Sequence, residues 1–170
     1  MPKAIRLYVK YIDAMTWLLG ILAMNLVFVM IAVLLYDAIM RNIIDIPVHW
    51  ALEFAQFTLT AYYFVGGAYS LKLGSHVRMD LIYSSLSERK QAGMDLVTNL
   101  CLLFYLVVML FGSISSTLYA IEYDETRFSM WNPSMIPIKV AMVCALVLMI
   151  LQTVSIFFKD LARYRGVDIS

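Results

Sequence analysis

Three kinds of side chain here have the chemistry to bind or react: two histidines, two cysteines, and ionisable groups close to apolar runs. His49 and His76 are the only histidines. A histidine pair can hold a haem iron from both sides. These two bracket one apolar stretch, residues 54–71, so a membrane crossing there puts them at opposite faces. Cys101 and Cys144 lie far apart, inside apolar runs and without a CxxC pair. That argues against a redox dithiol or a zinc site; two small buried hydrophobic side chains are expected instead. There is no GxSxG, HExxH, P-loop or GxGxxG. The densest polar chemistry is YYFVGGAYSLKLGSHVRMD, residues 62–80, where tyrosines and a Gly-Gly pair run into Lys72, His76, Arg78 and Asp80.

The elements that position these residues follow from composition. Of 170 residues, 62% are hydrophobic and 15% charged, whereas soluble domains run nearer half apolar and a quarter charged. Four continuous apolar stretches stand out, at about 17–36, 54–71, 96–121 and 140–158. Twenty helical residues span about 30 Å, the thickness of a bilayer's hydrocarbon core. Continuous rather than alternating apolarity favours helices over barrel strands. The fold class is therefore all-α, a polytopic membrane protein with four transmembrane helices in one domain, residues 1–170. The first stretch follows Lys3, Arg6 and Lys10 like a signal sequence. It is too long for one, and no small-x-small site follows at Tyr36-Asp37-Ala38, so it reads as a retained anchor.

Charge sets the orientation. The N-terminus, the 72–95 connection and the C-terminus hold ten Lys/Arg, while the 37–53 and 122–139 connections hold three. Acids divide six and six between the two sides, so the bias is cationic, the positive-inside pattern. Both termini and the 72–95 connection are expected in the cytoplasm. Within that connection, Asp80 can cap a short interfacial helix carrying Leu81, Ile82 and Leu86, and Ser87 can cap the helix entering the third span. Pro133 and Pro137 are expected to end helix formation before the fourth span, with Trp131 at the membrane interface.

No span carries an Asp, Glu, Lys, Arg or His near its centre, although a protein that moves ions by itself normally keeps one there. Asn25 is the one strongly polar side chain deep in the first span, and an interhelical hydrogen bond is its expected role. Glu53, just after Trp50, either pairs with a partner or lipid headgroup or is solvated at a helix N-terminus. Gly66, Ser70 and Gly74 recur every four residues. On a helix they make a small-residue stripe that admits a close neighbour, inside this chain or in another; Tyr62 and Tyr69 flank it. His76, Arg78 and Asp80 form either an interfacial cap or a polar lock onto another chain.

The run Trp50-x-x-Glu53, Phe64-x-Gly66-x-Ala68-Tyr69-x-Leu71, Gly74-x-His76-Val77-Arg78-x-Asp80 resembles the small membrane (Q) subunit of tripartite ATP-independent periplasmic (TRAP) transporters, the DctQ-like family. Ser129-x-Trp131-x-Pro133, Pro137-x-Lys139 and Leu151-Gln152 resemble its mannitol/chloroaromatic or 2-oxoacid branch. The resemblance implies an accessory permease subunit of the bacterial inner membrane, neither an enzyme nor a holder of any cofactor. Its implied partners are a large elevator-type membrane subunit that carries substrate and sodium, a periplasmic binding protein that delivers an organic acid, and membrane lipids, with no nucleic acid. It favours the lock for His76, Arg78 and Asp80, and a subunit interface built from Trp50, Glu53, Gly66, Tyr69, Ser70, Gly74, His76, Arg78 and Asp80. Two alternatives belong to other classes: a membrane anchor of a respiratory redox enzyme, which would show a haem Soret band, and a free-standing small transporter, which would move solute alone.

Overall fold

The computed structural model describes residues 3–73 and 88–165. They form four helices: α1 Lys3–Ile43, α2 Ala51–Lys72, α3 Glu88–Glu122 and α4 Ile136–Arg165. Each apolar stretch expected to cross a membrane lies inside one of them, and the longer helices overrun it. With 41 residues, α1 is about 60 Å long, twice the hydrocarbon thickness. The short interfacial helix expected near Asp80 falls outside the described residues.

Local chemistry ends the helices. α1 stops ahead of Pro47, whose ring disfavours helical backbone in the residue before it. Asp45 turns the chain in the left-handed region (φ 59), which a short polar side chain tolerates, and Ile46 N–H donates back to Met40 O. α3 ends in a Schellman arrangement: Asp124 takes the left-handed position (φ 45) and Glu125 N–H donates to Ala120 O. Between α3 and α4 the chain folds on itself through a Thr126–Ser134 bridge. Pro133 lies in this loop, but Pro137 does not block the helix. It occupies the first turn of α4, where its missing N–H has no helical partner to lose.

The helices alternate in direction. Lys72 Nζ donates to Asp13 O and Tyr69 packs on Gly20, so α2 runs antiparallel to α1. α2 packs on α1 and on α4, α1 also touches α4, and α3 packs substantially on α4 alone. The order across the structure is thus α1, α2, α4, α3, a row rather than a closed bundle. α4 is central: 33% of its most apolar segment is buried, against 11% for α1 and α3. The core consists largely of alanines, among them Ala23, Ala51, Ala55, Ala68, Ala120, Ala145 and Ala162, with Leu106 fully buried. Small side chains at helix contacts let backbones approach, as membrane helices require when lipid is as apolar as leucine.

α1, α3 and α4 contain segments long and apolar enough to cross a membrane, Ile5–Ile43, Gly93–Glu122 and Ile136–Tyr164. α2 has the length, at 22 residues, but Glu53, Gln56, Thr58 and Thr60 make its first half more polar. Much of that polarity is turned inward: Glu53 and Thr58 are buried.

Candidate functional site

The polar side chains gather toward the two ends of the helices. At one end Asp13, on α1, accepts from three groups of α4: Gln152 Nε2 at 3.0 Å, Ser155 Oγ at 3.4 Å, and Lys159, with which it forms an ion pair. Gln152 is fully buried and doubly used, since its Oε1 accepts from Thr16 Oγ1 at 2.7 Å. Lys72 joins α2 to the same point through the Asp13 carbonyl, and Tyr8 OH donates to Leu151 O one turn further along. Three helices are therefore pinned where the first and fourth apolar stretches meet charged sequence. Asn99 Nδ2, donating to Thr153 O at 3.4 Å, adds α3. None of these side chains is left poised for catalysis; each is committed to another helix.

At the other end the α3–α4 loop is tied down. Lys139 pairs with Glu125 and donates to Ser116 O. The Arg127 guanidinium donates to Gln56 Oε1 of α2. Near it are two incompletely satisfied acids. Arg41 pairs with Asp37 Oδ2, but Asp37 Oδ1 is buried without a hydrogen-bond partner, and so is Glu53 Oε2. The register set by Tyr69 on Gly20 brings Asp37 level with Leu52 and Glu53. Glu53 is only 7% exposed, so it is not the solvated residue that a helix N-terminus permits. Buried polar atoms are nearly always paired, and an unpaired one calls for a reason.

The sequence-selected residues do not converge on one pocket. Trp50 is 39% exposed, its ring edge-on to Phe54. Gly66 opens to free space: a Cβ there would meet nothing within 4 Å, and Ser70 is half-buried. Tyr69 is turned toward α1: its side chain packs so closely on Gly20 that a Cβ there would collide with it. Gly74, His76, Arg78 and Asp80 lie outside the described residues. His49 is exposed on the α1–α2 connection. Two expectations are corrected. Among the described residues Asn25 makes no interhelical bond; it is exposed, and its Nδ2 donates to Ile21 O one turn back in its own helix. Cys101 and Cys144 are free, as expected, but exposed rather than buried.

Sequence reasoning missed Asp13, Thr16, Gln152 and Lys159. A signal existed: Gln152, Thr153 and Ser155 interrupt the apolar run of α4 on nearly one face, and all three are buried. Among the described residues, no group of three or more His, Cys, Asp or Glu could hold a metal ion.

Long apolar helices joined by structural polar clusters make this a multi-pass α-helical membrane protein. Residues 30–163 match the model of one family, Tripartite ATP-independent periplasmic transporters, DctQ component. That match covers most of the chain, and the chain belongs to this family, as a small, accessory TRAP permease subunit. No curated protein and no solved structure matches it.

Proposed function

We propose that the protein is the brace of a TRAP transporter. It crosses the bacterial inner membrane four times with both termini in the cytoplasm, and it holds the scaffold of a large elevator-type membrane subunit. That partner carries sodium and an organic acid delivered by a periplasmic binding protein. The observation that carries this reading is the family match over residues 30–163. The fold supports it: Asp13 and Thr16 of α1 and Gln152 and Lys159 of α4 are spent on helix–helix bonds, which suits a rigid support. The partner meets Trp50, Glu53, Gly66 and Ser70 along α2, and Gly74, His76, Arg78 and Asp80 beyond its cytoplasmic end. Tyr69 serves this surface by holding α2 on α1. A donor from the partner completes Glu53. The test is affinity capture of the tagged chain from mild-detergent membranes, followed by mass spectrometry. One intact large membrane protein in stoichiometric amount is expected, and repeated recovery of the chain alone would refute the reading.

A further inference from the structure

Between α2 and α3, which do not pack on each other, runs a cleft of about 240 Å³. Tyr63 and Phe64 line it from α2 and Tyr105 and Leu106 from α3, and Leu146 and Met149 of α4 form its floor. Tyr63 is 65% exposed and Tyr105 57%. Neither hydroxyl has a hydrogen-bond partner among the described residues.

Their depth makes this unusual. Tyr105 is the middle residue of α3, and Tyr63 lies within two residues of the middle of α2. Helix centres fall near the bilayer midplane, about 15 Å from interfacial water, beyond the reach of a phenol. Tyrosine ordinarily sits at the membrane interface, where its hydroxyl is wet. Here two phenols flank one cleft in the hydrocarbon, where an unbonded hydroxyl is penalised. An acyl chain in the cleft would offer them nothing to bond.

We propose that the cleft is the seat of a transmembrane segment of the large subunit, and that this segment presents hydrogen-bonding groups, side-chain or unwound main-chain, to the Tyr63 and Tyr105 hydroxyls. The proposal rests on the accessory reading and adds the place of docking. Gly66, on the same face as Tyr63 and open to space, lets the incoming backbone lie close along α2. Filling the cleft also turns the open row of helices into a closed pack.

A photoreactive benzoylphenylalanine replaces Tyr63, Tyr105 or, for comparison, Phe28 of α1, which is 71% exposed. Each chain is co-expressed with the large subunit and irradiated in membranes. Adducts to the large subunit from positions 63 and 105, and none from 28, are expected. Tyr63→Phe and Tyr105→Phe keep the rings and remove the hydroxyls. Each should weaken association about three-fold, the size of a typical hydrogen bond between membrane helices, with the subunit's own thermal stability unchanged. An intact complex without adducts at 63 and 105, or with adducts only at 28, overturns the docking site and leaves the accessory role standing. If the wild-type chain captures no large subunit, both fall.

Discussion

At the scale of single residues, three side chains separate what holds this chain together from what it offers to others. Glu53 is buried with one oxygen unpaired. Replacing a buried, unsatisfied group by an apolar one of similar size is neutral or stabilising. Glu53→Leu should therefore leave the isolated subunit as stable as the parent, or up to about 2 kcal/mol more stable, while recovery of the large subunit falls several-fold. Thermal unfolding in detergent and affinity capture read the two effects, and a destabilised subunit with normal capture would assign Glu53 to the internal fold. The glycines make the converse pair. Gly20→Ala drives a methyl into the Tyr69 ring and should cost about 1–3 kcal/mol of subunit stability. Gly66→Leu, open on its outer side, should spare stability and reduce capture. Asp13→Ala strands Gln152 and Lys159 together. Because Lys159 is partly solvated, the expected loss is about 1–3 kcal/mol rather than that of a fully buried pair.

At the scale of elements, the four helices were legible because twenty apolar residues in a row have few other stable forms. Their ends were not. α1 begins fourteen residues before Trp17, where Val9 is buried and Tyr8 meets Leu151 and Phe158 of α4, and no hydropathy pattern contains that contact. The order α1, α2, α4, α3 was equally hidden, since it rests on packing between helices distant in sequence: Asp13 of α1 meets Lys159 of α4 146 residues away. Residues 50–73 were half legible. The small positions and Glu53 could be named from the sequence, but which face each occupies depends on helix rotation, and Tyr69 packs on Gly20 of α1. Helix direction can be checked in a background lacking the exposed Cys101 and Cys144. A cysteine at Ser84 should react only with a reagent added from the cytoplasmic side, and one at Ser129 only from the periplasmic side. Both reacting from one side would refute alternating crossings with the termini inside.

At the scale of the whole molecule, polar bonds tie the helices together toward both ends. Its buried polar bonds fasten α1, α2 and α4 at one end and the α3–α4 loop to α2 at the other, and no span carries a charge at its centre. Helices fastened at both ends suit the rigid support that the proposed brace requires. The most direct test is sodium-driven uptake of radiolabelled organic acids, 2-oxoacids first, into proteoliposomes supplied with the periplasmic binding protein. Vesicles contain this subunit alone, the large subunit alone, or both. Uptake only when both are present is expected, with none by this chain alone; substrate accumulation in vesicles holding this subunit alone would contradict the accessory role.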